Sequence, residues 1–238
     1  MTAFLFLDNF NEIILQQTQI KRCHYYPERW QPNAPEIDQV DIPDSLKQAI
    51  PKRLVEFIAG RVLAKQLLLA QGCQQSVERG VSDNAPIWPA GFIGSISHSK
   101  GIAASALLPT TTTKALGLDV EHWLSSALAR QIQDHICTAQ ELAHFDPRMR
   151  LNQKVTLIFS AKEALYKMLY PQVRQFFGFS EARLIHQQGD EQAGSLTIEL
   201  LKDLSSEYLA QDSFVIHYKN DQNTCLTLAM IDQTENLG

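Results

Sequence analysis

The sequence has no C-x-x-C pair, no long apolar run, no excess of basic charge and no G-x-S-x-G elbow. Its four cysteines, Cys23, Cys73, Cys137 and Cys225, stand singly. Neither a zinc site nor a redox pair is therefore indicated, and isolated thiols of this kind point to a reducing compartment. The start, MTAFLFLDNFNEII, lacks the basic opening and long apolar stretch of a signal peptide, and Asp8 interrupts it early. Apolar runs such as Leu67-Leu68-Leu69-Ala70 end within a few residues, far short of a membrane span. A cytoplasmic protein without an integral membrane segment is expected. With 21 basic against 26 acidic residues, a net charge of −5 removes the simplest electrostatic reason for a nucleic-acid partner.

What is present is an ordinary globular composition, 45% hydrophobic and 20% charged, which argues against intrinsic disorder. A length of 238 residues lies between one large domain and two ordinary ones. Phe4 to Leu7 reads as a strand, and prolines 27, 32, 35 and 43 mark turns and extended chain. A clear helix begins at Pro51 and stops at Gly72, with Leu54, Phe57, Ile58, Val62 and Leu69 at helical spacings as its core face. Residues 80–94 read as a loop. Gly101–Leu108 and Lys114–Glu121 read as strands, and Pro109 to Thr113 as their hairpin connection. Ser125–Ala143 looks helical, a second strong helix covers about Lys154–Met168, and three strand-like stretches follow Pro171, at 194–201, 213–218 and 225–231. Helix plus short antiparallel strands occurs in each half. The expectation is an α+β protein of two halves, 1–110 and 111–238.

Three segments carry candidate chemistry. In Gly117-Leu118-Asp119-Val120-Glu121, strand alternation sends both carboxylates to one side while Leu118 and Val120 face the core. Two like charges side by side cost energy unless a cation compensates them, although a solvated strand edge is the plain alternative. In Phe159-Ser160-Ala161-Lys162-Glu163-Ala164-Leu165-Tyr166-Lys167, Glu163 and Lys167 share a helix face, which alone implies only a surface ion pair. A third acid converging on Asp119 and Glu121 would instead make a hard-cation site suited to Mg²⁺ or Mn²⁺. Ser97-His98, read as part of a glycine-flanked turn, is either a phosphate donor or a satisfied turn histidine. Arg53 and Arg61, eight apart, fall on one broad helix side and suit a phosphate clamp or a solvated face. Phe176, Phe177 and Phe179 read as core or as a protein contact.

The order of these signals is more specific than any one of them. An arginine-bearing helix, Trp88-Pro89, Gly94-Ser95-Ile96-Ser97-His98, Gly117 through Glu121, then Phe159 through Lys167 resembles the 4′-phosphopantetheinyl transferase superfamily, in its surfactin-type branch and nearest the enterobactin synthase component D group. The likeness covers about residues 50–180. It implies two similar α+β halves related by a pseudo-twofold, each a helix on a small antiparallel sheet, with the active site between them. It implies Mg²⁺-dependent transfer of the phosphopantetheine arm of coenzyme A to a serine of an apo acyl or peptidyl carrier protein, releasing adenosine 3′,5′-bisphosphate, in siderophore or other nonribosomal peptide biosynthesis.

By the same resemblance, Asp119, Glu121 and Glu163 would hold the metal and Glu163 would serve as general base. Lys167 would bind the pyrophosphate and assist the leaving group. Ser97 and His98 would contact coenzyme A phosphate, and Arg53 and Arg61 would hold its 3′-phosphate. Some relatives carry a cationic or polar residue just before the loop proline, where this chain has Ala85 before Pro86. Two halves in one chain would let a monomer build the whole site. The rival readings are a metal-dependent nuclease, whose acid-x-Lys order is missing around Lys162-Glu163, and a non-catalytic protein that binds coenzyme A or a carrier.

Overall fold

Pro51 pre-sets the first turn of a twenty-residue helix, and Gly72, at φ +76°, supplies the left-handed residue that ends it. The computed structural model describes residues 7–34, 37–81 and 83–233, so most of the strand expected at Phe4–Leu7 lies outside the described residues. The chain divides into two compact units, Met1–Thr111 and Thr112–Gly238, against the break expected after residue 110.

The first unit contains β1 (Leu7–Leu15), β2 (Thr18–Tyr25), a short α1 (Asp44–Lys47), α2 (Pro51–Ala70), β3 (Glu78–Arg79), β4 (Pro86–Ile87), β5 (Phe92–Ser99) and β6 (Ile102–Pro109). Its main sheet runs β1-β2-β6-β5, antiparallel throughout, and α2 packs on β2, β5 and β6. Leu54, Val55, Ile58, Ala59, Val62 and Leu63 meet Leu7, Cys23, Tyr25 and Ala103 in the core. Phe57 is only half-buried and Leu69 is 41% exposed, so the expected core face is rotated: it follows Val55, Ala59 and Leu63 rather than Phe57 and Leu69. At Gly60 a Cβ would stand 2.5 Å from Ile96 Cγ2, so the glycine lets α2 lie close on β5.

Gly94 to Ser99, expected as a turn, is strand. Alternation buries Ser95, Ser97 and Ser99 and leaves Ile96 and His98 on the other face. The turn lies at Lys100-Gly101, whose φ values of +40° and +90° make a two-residue hairpin to β6. Pro109 to Thr113 is not a hairpin: β6 pairs with β2 and β5, whereas the next strand pairs elsewhere, so the segment links the two units.

The second unit contains β7 (Thr113–His122), α3 (Ser126–Ile136), α4 (Ala139–Leu142), α5 (Leu151–Val173), β8 (Ala182–Gly189), β9 (Ala193–Leu200), β10 (Ser213–Asn220) and β11 (Thr224–Asp232). The sheet order is β7-β11-β10-β9-β8, again antiparallel. Ser125–Ala143 is two helices rather than one, because Thr138 caps α4 immediately after α3 ends at Cys137. Four strands, not three, follow α5: β8 reads Ala-Arg-Leu-Ile-His-Gln-Gln-Gly, with too few apolar positions to announce itself. The architecture is α+β, with one long helix on an antiparallel sheet in each unit.

Gly117 sets how α5 lies on β7. A Cβ there would stand 1.9 Å from the Ala164 carbonyl oxygen and 2.7 Å from the Met168 nitrogen. Both are backbone atoms that cannot swing aside. Gly117→Ala is therefore expected to cost about 2–3 kcal/mol or more by forcing helix and strand apart. Urea unfolding measures this, and a variant as stable as the wild type would contradict the close contact.

Candidate active site

The face of β7 that carries Gly117 also carries Asp119 and Glu121, and it is the face α5 covers. The acids thus point toward the helix, while Leu116, Leu118 and Val120 are buried on the opposite face. The expected alternation holds, with Leu118 and Val120 in the core; the face that carries Asp119 is covered as well. On α5, Ser160, Glu163 and Lys167 fall at three- and four-residue steps, one stripe along the helix. Asp119 is 2% exposed, and its Oδ2 accepts a 2.8 Å hydrogen bond from Ser160 Oγ. Its Oδ1 accepts from Lys167 Nζ at 2.6 Å. Thr227 on β11, paired in register with Asp119, stands 2.8 Å from Ser160 Oγ and donates to the Ser160 carbonyl at 3.0 Å. Asp119 is therefore oriented through both oxygens by a hydrogen-bonded network.

Glu163 adjoins this pair. Burial pushes its carboxyl above the usual carboxylate range; Lys167 opposes that shift, and the charge of Asp119 adds to it. Glu121 is half-buried beside Cys225 in the ladder, and burial with the nearby Asp119 and Glu121 charges drives that thiol up. Among the described residues no three His, Cys, Asp or Glu side chains already form a group that could hold a metal ion. In this arrangement the cation against Asp119 is the Lys167 ammonium. The donor chemistry nevertheless fits a hard divalent ion, because the Asp119 charge makes the neighbouring Glu163 carboxyl costlier to ionise and a cation between them would offset that.

Lys162 lies on the far side of α5 from these acids. It is 4% exposed, and its ammonium reaches Glu141 Oε1 at 2.8 Å, the Ile136 carbonyl at 2.8 Å and the Phe179 carbonyl at 3.0 Å. Glu141 also accepts from the Leu184 and Thr138 backbone nitrogens, at 2.9 and 2.8 Å. Burial pushes its carboxyl up, but these hydrogen bonds outweigh burial and hold it below the usual range. Sequence reasoning missed Glu141, although Thr138-Ala139-Gln140-Glu141 is a capping-box pattern. The pair ties α3, α4 and β8 to α5 and leaves Lys162 no part in an acid-x-Lys nuclease arrangement. The aromatic candidates separate as well: Phe177 is core, Phe179 packs on Phe159 in a tilted pair with centroids 5.4 Å apart, and Phe176 is 75% exposed.

In the first unit, Arg53, Arg61 and His98 line one cleft of about 170 Å³, together with Glu56, Asn84, Pro86, Ile96 and Arg79, which the sequence did not single out. Arg61 is not on a solvated face. It is 7% exposed, lies 5.1 Å over the Phe57 ring, and donates from Nη2 to the Glu78 carbonyl at 3.0 Å. Its buried Nη1 has no hydrogen-bond partner among the described residues. Ser97 does not line the cleft, because strand alternation turns it to the opposite face from His98.

Two family models match the chain, the 4′-phosphopantetheinyl transferase N-terminal domain over residues 42–108 and the 4′-phosphopantetheinyl transferase superfamily over residues 115–227. The chain belongs to the 4′-phosphopantetheinyl transferase superfamily. The two transferase models divide between residues 108 and 115, where the compact units also divide, and each covers one of the two side-chain groups described above. The chain is 31% identical over 154 residues to 4′-phosphopantetheinyl transferase Npt of Nocardia iowensis, covering 63% of this chain and 67% of that one. It is 30% identical over 173 residues to 4′-phosphopantetheinyl transferase Svp of Streptomyces mobaraensis, covering 65% and 62%. To enterobactin synthase component D of Escherichia coli (strain K12) it is 31% identical over 141 residues, covering 59% and 65%. The chain thus spans about three-fifths to two-thirds of the length of these transferase relatives.

The buried ion pair of this transferase chain yields a test. Removing one partner strands a buried charge, so Glu141→Leu and Lys162→Met should each cost about 3–5 kcal/mol. The Glu141→Leu/Lys162→Met double variant should regain most of that loss. Additive losses in a denaturation cycle would show that the two groups are independent.

Proposed function

We propose that this chain transfers the 4′-phosphopantetheine group of coenzyme A to a serine hydroxyl of an acyl or peptidyl carrier protein and releases adenosine 3′,5′-bisphosphate. Family membership supports the reaction class. The observation that carries the reading is Asp119, fixed between Ser160 and Lys167 with the raised carboxyl of Glu163 beside it. In the reaction the carrier serine oxygen forms a bond to the phosphorus bearing the pantetheine arm, and the bond from that phosphorus to the bridging pyrophosphate oxygen breaks. Such displacement depends on positioning and charge stabilisation more than on covalent catalysis.

Glu163 is the group to accept the serine proton. Burial beside Asp119 raises its proton affinity above that of an exposed carboxylate, which favours a general base. Lys167, 27% exposed at its side chain and anchored on Asp119, presents a partly open cation to the departing bisphosphate. Asp119, Glu121 and Glu163 are the residues that would hold Mg²⁺ or Mn²⁺, an ion whose bound charge would offset that of the pyrophosphate. The cleft holding Arg53, Arg61 and His98 suits the 3′-phosphate, since two guanidiniums and an imidazole face a volume suited to an anion. The resemblance to enterobactin synthase component D supports a carrier from siderophore or other nonribosomal peptide synthesis. A cytoplasmic location fits the isolated free cysteines, and two units within one chain fit a monomer.

Incubation with coenzyme A, Mg²⁺ and an apo-carrier domain should raise the carrier mass by one phosphopantetheine group, with chelation of the metal stopping it. Glu163→Gln should slow transfer at least about 100-fold with the fold retained. Wild-type transfer rates in that variant would sink the assignment of Glu163. A second expected outcome concerns the cleft. Wild type should bind coenzyme A much more tightly than dephospho-coenzyme A, and Arg53→Ala/Arg61→Ala should lose that preference. Undiminished discrimination in calorimetry would refute the arginine clamp.

A further inference from the structure

Serine and threonine inside a helix commonly turn their hydroxyls back to the carbonyl four residues earlier. On α5, Thr156 does so, donating to the Asn152 carbonyl at 2.6 Å. Ser160, one turn later, does not: its Oγ leaves the helix and donates to Asp119 Oδ2 on β7 at 2.8 Å. The group that meets it there comes from β11. Thr227 stands in register opposite Asp119, so the two side chains share the face that α5 covers. Its Oγ1 lies 2.8 Å from Ser160 Oγ and 3.0 Å from the Ser160 carbonyl oxygen. Both hydroxyl residues are fully buried.

The number of protons orders these contacts. Ser160 has one hydroxyl proton, and it goes to Asp119, which accepts from Ser160 at one oxygen and from the Lys167 ammonium at the other. The proton left for the contact between the two hydroxyls is that of Thr227, shared with the Ser160 carbonyl. The chain therefore runs one way, from Thr227 to Ser160 to Asp119, and each donor polarises the next. Cys225, the other neighbour of Ser160 on β11, is a thiol and a weak partner by comparison. A tie between β11 and α5 needs only the bond to the carbonyl. The second contact, to Oγ, fixes where the serine hydroxyl points.

Asp119 is thereby divided. Oδ2 is committed to a buried hydroxyl, whereas Oδ1 carries the ammonium of Lys167, whose side chain is 27% exposed. Oδ1 is the oxygen that already faces a cation, and there one cation can replace another. We infer that Thr227 is a positioning residue of the acid site: through the Ser160 hydroxyl it locks Asp119 Oδ2 and so presents Oδ1 to a divalent cation. The inference rests on the proposed use of Mg²⁺ or Mn²⁺ and adds a residue beyond the three acids and the lysine. A carboxylate held in place before the ion arrives spares binding the entropy of ordering it. Outer partners of this kind are typically worth about 10–100-fold in metal affinity.

Titration of the full chain with Mn²⁺ in the presence of coenzyme A, read from the paramagnetic signal of the unbound ion, tests this without turnover. Coenzyme A and Mn²⁺ without protein serve as the blank. Thr227→Val, which keeps the shape and removes the hydroxyl, should weaken Mn²⁺ binding about 10-fold. Thr227→Ser, which keeps the hydroxyl, should bind as the wild type does. Ser160→Ala should weaken binding at least as much as Thr227→Val. Adding Thr227→Val to Ser160→Ala should cost nothing further, because Thr227 acts through the serine. A merely structural role for Thr227 would show as a second loss in that background.

Equal Mn²⁺ affinity in wild type and Thr227→Val, weakened binding in Thr227→Ser, or a further loss in the double variant would each overturn the inference while leaving the ion and the transfer standing. A wild type that modifies a carrier without binding Mn²⁺ would overturn the inference and the metal assignment, but not the transfer. A wild type with Thr227-dependent Mn²⁺ binding that modifies no carrier would support the inference and refute the transfer reaction.

Discussion

The absence of a side chain at Gly117 is the constraint on which the second unit's chemistry depends. With Ala164's carbonyl oxygen 1.9 Å from where a Cβ would be, α5 and β7 approach closely. At that separation a serine, the shortest hydroxyl side chain, reaches from the helix to the strand's carboxylate, and Ser160 does so at 2.8 Å. One helical turn later Glu163 faces the same carboxylate, and a further turn brings Lys167 onto its other oxygen. A wider spacing would admit water between the elements and weaken each of these interactions, because charge coupling falls as the local dielectric rises. Gly60 against Ile96 serves the first unit in the same way, setting the helix that carries Arg53 and Arg61 close on the strand that carries His98.

Net charge says little about a chain organised in this way. The −5 total averages over a first-unit cleft with three arginines and a second-unit strand and helix with three acids. Asp119 has Lys167, but Glu163 remains raised; Glu56 has Tyr25, and Arg61 keeps an unsatisfied Nη1. Native interiors normally satisfy such groups, and charges held unbalanced tend to mark places where a ligand completes the balance.

Much of this was legible in one dimension because period and punctuation are local. Pro51 and Gly72 bound α2, the apolar stretches became β6, β7 and β9–β11, and the spacing of Glu163 and Lys167 placed them on one helix face. What was not legible depends on partners distant in sequence. Gly94–Ser99 reads as a turn because its glycine and serines are turn formers, yet pairing with β6 makes it a strand and sends Ser97 away from His98. Pro109–Thr113 has hairpin chemistry, but β7 finds its partner in β11, more than a hundred residues later. Arg79 carries no periodic signal, and only the β3–β4 register brings it into the cleft with the arginines of α2.

Lys162 and Lys167 show why the short helical motif is restrictive at nearly every position. They lie on one helix, five residues apart, with opposite surroundings: one ammonium is sealed among two carbonyls and Glu141, the other is partly open on Asp119. Between and before them, Phe159 packs on Phe179, Ala161 and Ala164 are fully buried, Leu165 is core and Tyr166 stacks with Tyr170. The buried pair and the aromatic contacts hold the helix's rotation from the side away from the acids. That rotation decides whether Ser160, Glu163 and Lys167 all face β7. Turning α5 by one position, 100°, would carry Lys162's stripe to the acids and put Glu163 in the core without its compensating neighbours. Lys162 thus acts on the acid face without touching it, by fixing which face that is.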